Sequence, residues 1–234
     1  MIQRIKPCLS VVIPCFNEAE TIETLLRKVL DQSSVGQVIL VDDGSEDASI
    51  KKALSIKDSR LQIYQKEKNE GKGSAIKYGF SLVNLPYVVI QDADLEYDPR
   101  EYDALLKPLL SGHADVVYGS RFLSSGARRA VYYWHRVGNK ILTSLSNMFT
   151  NIDLTDMETC YKMMKSEIAK DLQLKEKRFG LEPEITARLA KLKVRIFEVP
   201  ISYYGRTYAE GKKITWKDGF SAMRCIVQYN LFNR

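Results

Sequence analysis

A regular alternation in the first 120 residues constrains the fold more than any other feature of the sequence. Short apolar runs alternate with helical patterns, and the turns between them are brief. Residues 9–13 form an apolar run that ends at Pro14. Residues 18–30 then repeat apolar side chains at helical spacing through Ile22, Leu25, Leu26, Val29 and Leu30. A second apolar run, 37–41, stops at Asp42-Asp43-Gly44-Ser45, and Ser45 is placed to cap a helix over 45–56. Residues 61–65 read as a strand, 73–82 as a helix and 87–91 as a buried strand. A helix over 99–110 has proline in its first turn, and 114–118 reads as a fifth strand. This order predicts an α/β fold with a mostly parallel central sheet and helices on both faces. Ligands of such sheets bind beyond the carboxyl ends of the strands. The polar clusters Pro14 to Glu18, Asp42-Asp43, Asp92 to Glu96 and Gly119-Ser120-Arg121 all fall at those ends, so they are expected to face one crevice.

The second half is less regular. It predicts a Ser/Gly/Arg loop over 124–129, helices over 132–149, 181–192 and 215–231, and a strand over 194–199. A basic, glycine-containing loop covers 203–213. No repeat, low-complexity tract or linker divides the 234 residues. One domain is expected over 1–234, with a regular half, 1–120, and a less regular half, 121–234, that ends in an amphipathic helix. The 45% hydrophobic content suffices for a sizeable core. Four separated cysteines without a C-x-x-C pair argue against a disulfide framework or a zinc site. No signal-peptide pattern appears at the N-terminus, and no stretch reaches the ~18–20 apolar residues of a membrane span. The expected location is the cytoplasm, with peripheral contact at the inner membrane face as a further expectation. The net charge of +6 is spread along the chain and no nucleic-acid motif accompanies it, which excludes nucleic acid as the expected partner.

Asp92-Ala93-Asp94 closes the fourth apolar run. Two carboxylates at i and i+2 beyond a strand end can converge on one hard cation. Oxygen ligands suit Mg²⁺ or Mn²⁺, ions that complete their shell with phosphates and water. A loop start or helix cap would use the same residues. Asp42-Asp43-Gly44-Ser45 likewise serves either ribose and base recognition or a turn with a cap. Gly71-Lys72-Gly73 opens a helix and could set backbone N–H groups and an ammonium near a phosphate, or be a plain turn. It lacks the spacing of a P-loop.

Together these segments resemble the inverting glycosyltransferases of family 2, with a GT-A-type fold. The likeness is to the polyprenyl-phosphate sugar synthases, such as the dolichol-phosphate mannose synthases. The residues that carry it are Val11-Val12-Ile13-Pro14-Cys15-Phe16-Asn17-Glu18, Val41-Asp42-Asp43-Gly44-Ser45, Asn69-Glu70-Gly71-Lys72-Gly73, Asp92-Ala93-Asp94-Leu95-Glu96, Gly119-Ser120-Arg121-Phe122 and the loop from Arg206 to Lys213. The resemblance implies that Pro14, Phe16, Glu18, Val41 and Asp43 line the donor's nucleoside pocket, that Asn17, Asp42, Lys72 and Ala93 are further substrate contacts, and that residues 1–120 bind the nucleotide sugar and 121–234 the acceptor. It implies Asp94 and Glu96 as metal ligands, with Asp92 beside them. It also implies Arg121, Arg136 and Arg206 as arginines for the acceptor phosphate or donor diphosphate, and Lys213 as a diphosphate contact. The family commonly reads R-x-x-G-x-S-K in that last loop. Here the gap is longer and lysine replaces serine, which weakens the inference for Lys213. Glu96 stands where glutamine is frequent.

The implied reaction moves a hexose, with inversion, from GDP-mannose, UDP-glucose or a similar donor to a polyprenyl phosphate. Asp92, Asp94, Arg121 and Arg206 are its expected catalytic groups. A phosphate acceptor is already largely dianionic at neutral pH and needs no general base. An alcohol acceptor would need one, and Asp153, Asp156 and Glu158 are the candidates. A lipid acceptor requires a membrane surface, which the helices at 132–149 and 215–231 could touch. An integral membrane protein or a second copy would serve the same end. Two other readings stand beside this one. One is transfer to a hydroxyl in cell-envelope glycan assembly. The other is a non-catalytic nucleotide-sugar-binding regulatory subunit.

Overall fold

The computed structural model describes residues 6–123, 129–130, 132–178, 180–207 and 216–232. In chain order the elements are β1 Leu9–Cys15, α1 Ile22–Leu30, β2 Val35–Asp42, α2 Ser49–Leu54, β3 Leu61–Gln65, α3 Lys72–Ser81 and β4 Tyr87–Ile90. A 3₁₀ turn, Pro99–Glu101, leads into α4 Tyr102–Leu110. There follow β5 Val116–Ser120, α5 Tyr133–Thr150, β6 Lys162–Lys165, α6 Ser166–Asp171, α7 Leu181–Leu192 and β7 Ile196–Pro200. Last comes α8 Trp216–Val227, which continues as a π-helical turn over Gln228–Phe232.

The seven strands make one sheet in the order β3-β2-β1-β4-β6-β5-β7. β3, β2, β1 and β4 run parallel, and β7 is parallel to β5. β6 lies between β4 and β5, antiparallel to both. All of β1 is buried, and every side chain of β2 except Gly36 is buried as well, so these strands read as continuous apolar runs. α1 covers one face with Ile22, Leu25, Leu26, Val29 and Leu30.

The mostly parallel α/β sheet agrees with the expectation, but two elements escaped the sequence. β6 is four residues long and reads Lys-Met-Met-Lys, so polar residues bracket its apolar pair. Lys162 is buried nonetheless. Its ammonium donates to the carbonyls of Met157 and Thr159 and lies 4.9 Å from the Tyr118 ring centre. α6 is only six residues and shows no clear period.

Two helices start later than expected, α1 at Ile22 and α2 at Ser49. Ser45 caps neither. Its N–H donates to Asp42 Oδ2 (3.0 Å) and its hydroxyl accepts from the Asn17 N–H (2.9 Å), which ties the β1 and β2 loops together.

Candidate functional site

The site is built around the turn that leaves β4 in mid-sheet, beside the strand where the parallel run breaks. Gln91 anchors this turn. It is fully buried, its Oε1 accepts the hydroxyls of Tyr102 and Tyr161 (2.7 Å each), and its amide donates to the Asp92 carbonyl (3.0 Å). The strand ends at Ile90, so the i, i+2 alternation no longer aims Asp92 and Asp94 the same way.

Asp92 turns to Lys72, whose ammonium lies 2.8 Å from Oδ1 and 3.1 Å from Glu182 Oε1. Asp94 Oδ2 meets Arg206 Nη2 at 2.7 Å. Glu96 Oε1 accepts the Arg206 backbone N–H (2.7 Å) and lies 3.4 Å from its Nε, while Oε2 accepts the Tyr203 hydroxyl (2.8 Å). Glu18 Oε2 is 3.6 Å from Arg206 Nη1. Three carboxylates therefore gather on one guanidinium.

The electrostatics follow. Burial, then the neighbouring Asp92 and Glu96 charges, push the Asp94 carboxyl up to about 7 against the pull of Arg206. Burial favours the neutral forms of Lys72 and Asp92 too. Their mutual attraction, helped on the lysine side by Glu182, overrides it and keeps both charged.

Among the described residues no three His, Cys, Asp or Glu side chains converge as a metal cage. Of the expected ligands, Asp94 and Glu96 share Arg206, while Asp92 pairs with Lys72. The two carboxylates on Arg206 still fit a divalent ion. Mg²⁺-type ions are held by one or two carboxylates plus substrate phosphates, and here two hard oxygen donors share more negative charge than one arginine cancels.

The nucleoside-side residues fall into two layers. An open cavity of about 520 Å³ is lined by Phe16, Gly44, Ser45, Glu46 and residues 65–69. Pro14, Val41, Asp42 and Asp43 lie buried beneath it and are absent from its lining. Pro14 and Val41 are partners across β1 and β2. The Asp43 carboxylate accepts the N–H groups of Glu70 and Gly71 and pairs with Lys66 at 2.8 Å. Asp42 Oδ1 is buried with no partner. Asn17, at φ 53°, accepts the Glu46 N–H on its side-chain oxygen (2.9 Å) and so holds the cavity rim. Ala93 is buried, and its carbonyl accepts the Thr21 hydroxyl (2.8 Å).

The start of α3 favours the turn over the phosphate cradle for its glycine N–H groups. Gly73 N–H donates to the Lys177 carbonyl (2.9 Å), so it does not face a phosphate. Glycine is required at Gly71 and Gly73 because the 176–177 backbone lies against them. A Cβ at either position would sit 2.1 Å from a carbonyl oxygen, and Gly71 has φ +103°. Lys72 still reaches the site, through its side chain alone.

Arg121 extends from the end of β5. Its Nε and Nη2 fork onto Asp156 at 2.6 and 2.7 Å, and Asp156 is completely buried. Asn139 donates to the same carboxylate (3.2 Å). The Arg121 guanidinium lies 5.1 Å from the Tyr203 ring centre, and Tyr203 in turn holds Glu96. Arg136 is exposed on the first turn of α5, 5.9 Å from the Phe122 ring that Arg121 also approaches. Glu158 Oε1 is buried without a partner. Burial first, and then Glu182, push its carboxyl up to about 8. Lys213 and most of its loop lie outside the described residues.

Gln91, Tyr203, Glu182 and Lys66 complete the site and were missed from the sequence. Gln91 had a signal, as the one polar residue closing an apolar run. The others sit far from the motifs they serve.

A mostly parallel sheet with an acidic turn at its centre, met by an arginine from a later loop, sets the architecture. The chain matches the profile of "Glycosyl transferase family 2" over residues 10–173 and belongs to that family. Its fold is of GT-A type. It is 29% identical over 199 residues to glycosyltransferase AglJ of Haloferax volcanii, covering 84% of this chain and 63% of that protein. It is 28% identical over 211 residues to undecaprenyl-phosphate 4-deoxy-4-formamido-L-arabinose transferase of Edwardsiella ictaluri, covering 87% and 62%. The chain thus spans a little under two thirds of these two relatives. Glucosyl-3-phosphoglycerate synthase of Mycobacterium tuberculosis, solved with Mn²⁺, UDP and glucosyl-3-phosphoglycerate, superposes with a TM-score of 0.72. It is 20% identical, with 96% of this chain and 80% of that one covered.

Proposed function

We propose that this chain is an inverting, divalent-metal-dependent transferase that moves a hexose from a nucleoside diphosphate sugar to a polyprenyl phosphate. Residues 1–120 hold the donor and 121–234 the acceptor. The observation that carries the acceptor assignment is the state of the three candidate bases. Asp156 is consumed by Arg121, Asp153 is exposed, and Glu158, with its pKa near 8, keeps its proton at neutral pH. A hydroxyl acceptor would be left with only the exposed Asp153 of this set as a base. A phosphate monoester brings its own nucleophilic oxygen, largely dianionic at pH 7, and needs cations to receive it. Arg121 is held for that role with its Nη1 edge uncommitted to Asp156, and Arg136 lies beside it. The undecaprenyl-phosphate relative supports the same reading.

Donor binding falls to the cavity around Phe16, Glu46 and residues 65–69, with Asn17 and Ser45 fixing its rim. Asp94 and Glu96 would hold Mg²⁺ or Mn²⁺, which supplies charge stabilisation to the departing diphosphate. The M. tuberculosis synthase was solved with Mn²⁺ and UDP, which supports a divalent ion beside a nucleoside diphosphate. Arg206 adds donor bonds to the leaving phosphates, and Lys72 keeps Asp92 charged and fixed at the reacting end.

No helix of the described residues is long and apolar enough to cross a membrane. Contact with lipid then falls to a surface. On α5, Tyr133, Trp134, Ile141 and Met148 are exposed beside Arg136 and Lys140. Around α8 and its extension, Phe220, Leu231 and Phe232 are exposed. Aromatic and apolar residues mixed with basic ones suit the headgroup boundary.

A turnover assay with a short-chain polyprenyl phosphate, Mg²⁺ or Mn²⁺, and a panel of GDP- and UDP-sugars, read by mass spectrometry, tests the proposal. The expected product has the mass of lipid phosphate plus one hexose, and it names the donor. Donor hydrolysis without that product, across the panel, would overturn the acceptor assignment.

A further inference from the structure

We propose that Arg206 occupies the cation's place in the empty enzyme and leaves it when cation and donor diphosphate arrive together, so that one side chain couples their binding. The inference rests on the metal-dependent reading above and goes beyond it.

The geometry is that of a stand-in. A divalent ion at this turn would take oxygens of Asp94 and Glu96, and the Arg206 guanidinium is on both, at 2.7 and 3.4 Å, with Glu18 at 3.6 Å. Ion and guanidinium cannot share Asp94 Oδ2. Each wants the same lone pairs, and two cations within a few ångströms repel strongly in a half-buried site. Among the described residues, the other cations near the turn are committed elsewhere: Lys72 to Asp92 and Glu182, Arg121 to Asp156.

The arginine is also placed to move. Its segment is moored to the acidic turn by contacts that do not involve the guanidinium. The Arg206 N–H donates to Glu96 Oε1, the Tyr204 N–H to the Glu96 carbonyl (2.9 Å), and the Tyr203 hydroxyl to Glu96 Oε2. The tip can therefore swing while its Cα stays. What would draw it away is a diphosphate, which offers a fork-shaped acceptor of higher charge than the carboxylates it leaves. The cation then finds its ligands vacated only when the arginine has a new partner. By linkage, each ligand tightens the other by the same factor.

Mn²⁺ binding is measured by electron paramagnetic resonance or calorimetry, alone and with UDP or GDP, on the wild type, Arg206→Gln and Arg206→Lys. Folding is checked by thermal melts. For Mn²⁺ alone, Arg206→Gln is expected to bind ~10-fold tighter than wild type, a step of the usual size for a coupled site. The Lys variant should fall between, since it keeps the charge without the fork. The factor by which nucleotide tightens Mn²⁺ should shrink in the Gln variant. Unchanged or weaker Mn²⁺ affinity in folded Arg206→Gln, while the wild type binds the ion, overturns this inference alone. If neither protein binds Mn²⁺ with or without nucleotide, the metal-dependent reading fails and takes this inference with it.

Discussion

Two acidic turns at neighbouring strand ends differ in what neutralises them. At the end of β2, Asp42 and Asp43 are held mainly by backbone N–H groups, from Ser45, Glu70 and Gly71, with Lys66 alone adding a side chain. At the end of β4, Asp92, Asp94 and Glu96 are balanced mainly by side-chain cations, Lys72 and Arg206. Backbone donors cannot leave without unfolding the turn, whereas a long cationic side chain can rotate away. The first turn is therefore frame, and the second is exchangeable charge. A residue's acidity does not tell the two apart. The partner does.

The largest expected effect tests the exchangeable side. Asp94→Asn should lower kcat/KM by about 10²–10³-fold, the scale of removing one electrostatic stabiliser of a leaving group, with the melting temperature close to wild type. A large loss of stability with intact turnover would reverse the contrast. Asp43→Ala should do the opposite. It strands the Glu70 and Gly71 N–H groups and Lys66, so denaturant titration should show a loss of about 2–4 kcal/mol. Activity per folded molecule should change far less than in Asp94→Asn.

Asp156→Asn tests the acceptor side. One arm of the Arg121 fork weakens while the shape is kept. The KM for the lipid phosphate should rise about 10-fold, near the worth of one charge-assisted bond, and the KM for the donor should hold. An equal rise in both would place Arg121 with the donor.

A fourth effect is on the pH dependence of stability. Folded Glu158 keeps its proton up to about 8, while the unfolded chain releases it near 4.5. The folded state thus binds the extra proton, and wild-type stability falls as pH rises across that window. Glu158→Gln removes the titration. Melts from pH 4 to 9 should show the variant gaining on wild type from about 4.5 upward and levelling off above 8. A constant difference at all pH values would mean the carboxyl does not titrate there.

The same contrast explains what the sequence reveals. The parallel half was legible because β1, β2 and β4 are buried on both faces and read as unbroken apolar runs. Asp92 to Glu96 stood out for the same reason, as charge directly after such a run. β6 was hidden because Lys162 and Lys165 flank its two methionines, and only the fold reveals that Lys162 is satisfied by two carbonyls. Gly71-Lys72-Gly73 read as a phosphate cradle or a turn, and its glycines make room for the backbone of Lys177 and Glu176, 106 and 103 positions further along the chain. The pairings of Arg206 with Asp94, and of Arg121 with Asp156, join residues 112 and 35 positions apart. Nothing local marks them.

The central claim is that the acceptor supplies its own nucleophile. The most direct test compares two acceptors on the wild-type enzyme, a polyprenyl phosphate and the matching polyprenol, with the same donor and Mn²⁺. Hexosyl transfer to the phosphate and none to the alcohol is the predicted result. Transfer to the alcohol at a comparable rate would contradict it, and would mean that a base acts in this site.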